Sequence, residues 1–305
     1  MRVLAHIHTR NEAEFIEQAL GALQLQTRPP DTIIIVDNAS TDATLDRTFP
    51  KNAIVVRNPK DLGPSGSIRI GFAHALENEF DWIWVLDADS VPEPDALENL
   101  LDFFNRLPFR EQDHVCFLAC RLATGEAGHR PIILTESRIE FVPVDAGADF
   151  SRCDCFIWSG SLFHIPAVAK IGLPSADYFM DAAELEYGYR AQQRGLTSYI
   201  VNRGVLHHDV GRSPGVVART WRLGPIAFRL PEMSPLRSYY HVRNMVYFWL
   251  YQYKPRRPGR VVRNIIHVLA LPATFMIRPV SHGRHLLACL RGLWDGLTMH
   301  MERRY

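Results

Sequence analysis

The chain of 305 residues carries almost no net charge, with 34 Lys and Arg against 33 Asp and Glu. A dedicated nucleic-acid binder has a strong basic excess, so the balance argues against that class. Cysteine is also scarce. The five residues are Cys116, Cys120, Cys153, Cys155 and Cys289. Their odd count, and a Cys153-x-Cys155 spacing too tight for an ordinary disulfide or zinc knuckle, predict free, mostly buried thiols in a reducing compartment. Long hydrophobic runs are missing. The longest, Ile265–Ile277, contains His267 and Pro272 and is too short to span a bilayer. No P-loop, Rossmann glycine fingerprint, internal repeat or low-complexity segment occurs. Arg2–Ile7 reads as a strand that begins at once, so no leader is read and the expected location is the cytoplasm.

What is present is an apolar fraction of 47%, enough for a sizeable core. The charge balance hides an asymmetry. From Lys254 to Tyr305 there are ten Lys and Arg and two Asp and Glu, a net of +8, which leaves −7 for residues 1–253. An acidic body with a basic tail points the tail at an anionic surface.

The first hundred residues alternate between two periods. Strands are expected at Val3–Ile7, Thr32–Val36, Ala53–Arg57 and Trp82–Leu86, and helices at Asn11–Leu23, Ser65–Leu76 and Pro94–Phe104. Runs such as TIIIV and WIWVL are apolar on both faces, as in a covered parallel sheet. Further strands are expected at Val115–Ala119, Ile132–Leu134, Phe156–Ile165 and Ser198–Val201. Helices are expected at Ala182–Arg194 and Pro235–Tyr253, with a Pro-rich linker at residues 254–259 and basic amphipathic helices beyond. The resulting class is α/β, with a mostly parallel sheet flanked by helices. Its domains are a catalytic domain at 1–253, split near residue 106, and a helical extension at 254–305.

In open parallel sheets ligands bind beyond the carboxyl ends of the strands, so the loops there select the candidates. After the second strand comes Val36-Asp37-Asn38-Ala39-Ser40-Thr41-Asp42, which suits either a base- or ribose-binding carboxylate or a plain strand-to-helix turn. After the third comes Asn58-Pro59-Lys60-Asp61-Leu62-Gly63, leading into a helix with Arg69, where small residues admit a phosphate or simply make a turn. After the fourth comes Asp87-Ala88-Asp89. Alternation in an extended chain would put both carboxylates on one side, where they repel unless a cation lies between them. Oxygen ligands around a diphosphate suit Mg²⁺ or Mn²⁺. Later come an acidic helix start, Phe179 through Arg190, and His207-His208 after a strand, the latter a candidate third metal ligand.

In this order the set resembles the inverting glycosyltransferases of family 2, with the GT-A fold, over roughly residues 1–250. It is most similar to bacterial rhamnosyltransferases and galactofuranosyltransferases, many of which also have a stretch like Tyr239-Tyr240-His241-Val242-Arg243-Asn244. The resemblance implies transfer of a rhamnosyl or galactofuranosyl group from a UDP- or dTDP-sugar to a glycan or polyprenyl-linked acceptor, with inversion. It implies that Thr9, Arg10, Asp37, Asp61, Arg69, Asp87, Ala88 and Trp158 line the nucleotide-sugar pocket. Asp87, Asp89 and His208 would hold the metal. Glu184 aligns with the catalytic base, with Asp181 as a second catalytic residue that could substitute for the family's Asp or leave Glu184 to act alone, and Ser159, Gly160, Glu186 and Arg243 would meet the acceptor. Two departures are Ala183, where the family often has Asp, and a thinned glycine stretch at Asp61-Leu62-Gly63-Pro64. A sugar nucleotidyltransferase and a non-catalytic sugar-nucleotide-binding protein of the same fold are the competing readings. Arg256, Arg257, Arg260 and Arg263 beside Ile265–Leu271 suit an interfacial helix on anionic lipid, giving peripheral attachment at the inner face of the plasma membrane. Packing of this helix on the catalytic domain or on a second subunit, in a homo-oligomer, is the alternative.

Overall fold

A computed structural model describes residues 1–123, 130–135, 139–145, 147–208, 217–223, 226–232, 234–253 and 282–302. The expected linker and the basic segment around Ile265–Leu271 lie outside them, as do Val210 and Gly211. The chain divides into two compact units. The first holds residues 1–176 and 183–208, and the second holds 177–182 and 209–305.

The first unit is a nine-stranded sheet. Its strands are β1 (Val3–Thr9), β2 (Thr32–Asp37), β3 (Ala53–Arg57), β4 (Trp82–Asp87), β5 (Ser90–Pro92), β6 (Val115–Leu122), β9 (Phe150–Cys153), β10 (Ser161–His164) and β11 (Thr197–His208). A separate hairpin is formed by β7 (Ile132–Leu134) and β8 (Ile139–Phe141). The spatial order is β3-β2-β1-β4-β10-β6-β11-β5, with β9 also paired to β11. β3, β2, β1 and β4 run parallel, as the unbroken apolar runs require, whereas β10 is antiparallel to both of its neighbours. Ile33 to Val36 and Trp82 to Leu86 are buried without exception. Each large side chain removed from water contributes about 2–3 kcal/mol before chain entropy is counted.

Helices α1 (Ile16–Gln24), α2 (Gly63–Glu77), α3 (Ala96–Arg106), the single turn α4 (Phe109–Gln112), α5 (Ile165–Ile171) and α6 (Ala183–Gln193) connect these strands. α2 lies close on β1, because Gly71 sits where a Cβ would enter the His6 ring. His6 Nε2 meets the Ser67 carbonyl at 3.1 Å. Burial, then the neighbouring His8, drives the His6 pKa down to about 3, so its ring is neutral and Nε2 carries the donated proton.

Three expectations need correction. The first helix begins at Ile16 instead of Asn11, because residues 11–15 form a loop. Its backbone is engaged elsewhere: Asn11 has φ +54°, its N–H donates to Ser40 Oγ, and the Glu12 N–H donates to Thr44 Oγ1. The strand expected from Phe156 begins only at Ser161, because Gly160 turns the chain at φ +79°. The helix from Pro235 ends at Tyr247 and passes into a π-helical turn, Phe248–Gln252. All five cysteines are buried, and Cys116, Cys120, Cys153 and Cys155 are free thiols, as expected.

The second unit contains the hairpin β12 (Val217–Leu223) and β13 (Ile226–Glu232), and helices α7 (Pro235–Tyr247) and α8 (His282–Leu297). α7 and α8 pack at backbone distance. A Cβ at Gly292 would lie 2.5 Å from the Tyr239 carbonyl, and one at Gly296 would lie 2.7 Å from the Arg243 carbonyl. This joins residues 235–253 to residues 282–302, so the boundary expected at 253/254 falls inside one unit.

Candidate active site

The site grows from the carboxyl ends of β1, β2, β3 and β4. Asp37 is fully buried at the tip of β2 and accepts from the Ser40 N–H at 3.1 Å, with Arg57 Nε 3.8 Å away. Asn38 ties three strand ends together. Its N–H donates to the Thr9 carbonyl, its Nδ2 donates to the Gly63 carbonyl, and its Oδ1 accepts from Asn58 Nδ2 at 3.0 Å. Asp61 accepts from the Gly63 N–H at 2.8 Å, fixing the start of α2, and forms an ion pair with Arg10. Thr9, Arg10, Asp37 and Asp61 therefore lie along one edge. Arg69 is directed elsewhere, donating to the Pro174 carbonyl at 2.9 Å.

Beside that edge, β4 ends at Asp87 and the chain turns through Ala88 and Asp89 into β5. The two carboxylates are brought together by this turn and not by the alternation of an extended strand. Ala88 is buried beneath it. Because β5 pairs with β11 in the register His208↔Ser90, His208 is delivered to the same turn. His208 Nδ1 lies 3.3 Å from Asp89 Oδ1, and Nε2 lies 3.8 Å from Asp87 Oδ2. One ligand atom from each of the three residues falls within 4.8 Å of the others. Ligands of an octahedral cation with bonds of about 2.1 Å are about 3.0–4.2 Å apart, so a small contraction would let these three residues supply half of its shell. Two carboxylates and one imidazole are suitable donors for Mg²⁺ or Mn²⁺.

A chain of hydroxyls holds the turn. The Asp87 N–H donates to Ser159 Oγ at 3.0 Å, Ser159 Oγ meets Ser90 Oγ at 2.6 Å, and Ser90 Oγ meets His208 Nδ1 at 3.0 Å. Ser159 and Gly160 thus belong to the support of the turn. A Cβ at Gly160 would meet Leu206 at 2.8 Å. Trp158 is buried edge-on against Tyr187 of α6, with centroids 5.9 Å apart. Glu184 stands one turn before Tyr187, partly exposed in the first turn of α6. Glu186 is occupied by Arg190, which it meets at 2.6 and 3.0 Å.

Two residues that the sequence reading did not select join the site. His8 pairs in register with Asp87 across β1 and β4, and its Nε2 lies 3.2 Å from Asp87 Oδ1. Glu12 accepts from Thr9 Oγ1 at 3.1 Å. Burial first, then the charges of Asp87 and Asp89, raises its pKa to about 7. The rule that points to strand ends applies to β1 as well, and it is the signal that finds both.

Asp181 and Arg243 lie in the second unit. Asp181 Oδ1 accepts from Arg237 Nη2 at 2.8 Å, and His241 Nδ1 lies 3.7 Å from Oδ2. Burial would raise the Asp181 pKa, but the His241 hydrogen bond and the Arg237 charge outweigh it and hold it at about 2. Phe179, Asp181 and Ala182 all have positive φ, a strained arrangement for residues with side chains. The Arg243-Asn244 pair secures them. Asn244 Nδ2 donates to the carbonyls of Tyr178, Met180 and Asp181 at 2.7–2.9 Å, and the buried Arg243 donates to those of Asp177 and Met301.

Comparison with known proteins bears on the family and the fold. Residues 5–111 match the profile of glycosyl transferase family 2. The chain is 25% identical over 202 residues to galactofuranosyltransferase GlfT1 of Mycobacterium tuberculosis, covering 64% of this chain and 66% of that protein, just under two thirds of its length. It is 23% identical over 249 residues to the N-acetylglucosaminyl-diphospho-decaprenol L-rhamnosyltransferase of the same organism, covering 68% and 76% of the two chains. Among solved structures it is similar to the mannosyltransferase PcManGT of Pyrobaculum calidifontis, determined with GDP-Man and Mn²⁺. The TM-score is 0.60 at 15% identity, over 97% of this chain and 87% of that one. Residues 5–111 thus resemble glycosyl transferase family 2, within a chain that has the fold of the GT-A glycosyltransferases.

Proposed function

We propose that the chain is an inverting glycosyltransferase that moves a galactofuranosyl or rhamnosyl group from a UDP- or dTDP-sugar to a glycan or polyprenyl-linked acceptor. The observation that carries this reading is the convergence of Asp87, Asp89 and His208 within a family 2 segment. The names of the relatives support the choice of sugar and of a lipid-linked acceptor. In this reading Asp87, Asp89 and His208 hold Mg²⁺ or Mn²⁺. The bound cation supplies charge neutralisation for a departing diphosphate. Thr9, Arg10, Asp37 and Asp61 border the nucleotide, and Trp158 borders the sugar. Glu184 alone takes the proton of the acceptor hydroxyl, since Asp181 is held by Arg237. The acceptor oxygen bonds to the anomeric carbon from the face opposite the leaving group. The bond from that carbon to the phosphate oxygen breaks, and its electron pair leaves with the nucleoside diphosphate. Attachment to the membrane surface would bring the enzyme to such an acceptor.

The test couples binding to turnover. Mn²⁺ with UDP or dTDP should raise the Tm of the wild type and of Glu184→Gln alike, while Glu184→Gln lowers kcat about 10²–10⁴-fold. A fully active Glu184→Gln would remove Glu184 from the base role. Donor binding with no transfer or hydrolysis by the wild type would favour the non-catalytic reading.

A further inference from the structure

Helix α8 has two faces of different character. The inward face carries Ala288, Gly292 and Gly296, whose small size permits the close approach to α7, together with buried Cys289 and Asp295. The Asp295 carboxylate accepts from Tyr239 Oη at 2.7 Å. The outward face is apolar and open. Leu287 is 49% exposed, Leu290 49%, Trp294 65% and Leu297 39%. At 3.6 residues per turn these four occupy about 80° of arc. Arg284 and Arg291, both exposed, border the strip on one side. Among the described residues no helix is long and apolar enough to cross a membrane.

We propose that this face of α8 docks in the interfacial layer of an anionic lipid bilayer, with Trp294 as its central anchor. Three observations select lipid. The strip is four exposed side chains, far fewer than the roughly 20–30 residues a side that a stable protein interface uses. A Trp among leucines with arginines alongside is the composition that the boundary between headgroups and acyl chains favours. Charge agrees. Ten Lys and Arg stand against two acids from Lys254 onward, and one of those acids, Asp295, is turned inward onto Tyr239. An anionic surface adds attraction for each basic residue near it. The inference deepens the reading of a lipid-linked acceptor and rests on it for its biological purpose, but vesicle binding can be measured without any donor sugar.

The experiment is flotation of the full chain with phosphatidylcholine vesicles containing about 30% phosphatidylglycerol, compared with pure phosphatidylcholine. The wild type should float with the anionic vesicles, and binding should weaken as salt rises. Trp294→Ala should lower the partition coefficient about tenfold, and Leu290→Asp with Trp294→Asp should abolish binding. Both variants should keep the wild-type Tm and the wild-type turnover of a water-soluble acceptor, because the altered side chains face solvent. Loss of transfer activity with intact flotation would count against the glycosyltransferase reading alone. No flotation by the wild type, or equal flotation by the Asp double variant, would overturn the docking proposal. So would a concentration-dependent dimer that the double variant dissolves, which would assign the face to a second copy.

Discussion

Two clusters of acid and histidine, one in each unit, are built in opposite ways. Asp87 and Asp89 face His208 and His8, and among the described residues no lysine or arginine closes on either carboxylate. Asp181 faces His241 as well, but Arg237 grips its carboxylate through two nitrogens. The first cluster gathers two carboxylates with no guanidinium or ammonium against them among the described residues, and burial first, then the charges of Asp87 and Asp89, raises the pKa of Glu12 nearby. The second neutralises itself, and its pKa moves the other way. An acid with no internal cation is one prepared for an external cation. An acid with its own guanidinium is a structural brace. The partner of an aspartate, more than its place in a motif, tells the two apart.

The sharpest break of this contrast is Asp89→Asn. In the metal cluster it should reduce transfer about 10³-fold, a loss comparable to removing a principal electrostatic stabiliser. The rise in Tm on adding Mn²⁺ should vanish. The Tm without metal should stay level or increase slightly, because one of two repelling charges is gone. A variant that keeps the full Mn²⁺ shift would show that Asp89 is not a ligand.

Asp181→Asn is expected to do the reverse. It leaves Arg237 without its counter-charge and loosens a loop with three positive-φ residues, so the protein should lose about 2–3 kcal/mol of stability in urea melts. Metal-induced stabilisation should persist. The sign of the pH dependence follows from the depressed pKa. The carboxylate has an ordinary value of 3.8 and a folded value of about 2, so its contribution is complete above about pH 4 and is lost as pH falls through 2. The stability gap between wild type and Asp181→Asn should therefore hold constant from neutral pH to about 4 and narrow below it. A gap that closed near pH 7 would mean that His241, not Asp181, governs the cluster. A fall in kcat as large as that of Glu184→Gln would return Asp181 to the chemistry.

Much of the first unit was legible because its signals are local. TIIIV and WIWVL are apolar without alternation, and only strands covered on both faces suit them. The strand-end rule then singled out Asp87, Asp89 and His208, and the structure unites them. Alternation along the strand is not what brings the two carboxylates together, since a turn at Ala88-Asp89 does so. What escaped depends on register. His8 meets Asp87 only because β1 and β4 pair residue for residue, and nothing local to Ile7-His8-Thr9 encodes that offset. Likewise the partner of Asp181 lies 56 residues away at Arg237, so an acidic helix start could not disclose that one of its acids was already taken. Arg243 and Asn244 stand out in the sequence as part of a stretch, but their hydrogen bonds to the carbonyls of residues 177–181 exist only with the loop in place.

The smallest expected effect sharpens the contrast most finely, because it concerns a residue that orients a carboxylate. Nε2 of His8 faces Asp87 Oδ1 at 3.2 Å, and its buried Nδ1 has no partner among the described residues. A hydrogen on Nε2 would donate to Asp87 and orient its carboxylate. Groups that orient a metal ligand in this way are typically worth about 10–100-fold in metal affinity. His8→Leu keeps the packing against His6 but removes the donor, and it should raise the Mn²⁺ concentration for half-maximal stabilisation about tenfold. His8→Gln, whose amide reaches a similar point, should restore most of the loss. If both variants bind Mn²⁺ like the wild type, His8 merely fills space. If both bind it more tightly, His8 was a competing cation, and the cluster would then be closer in kind to that of Asp181 than its geometry indicates.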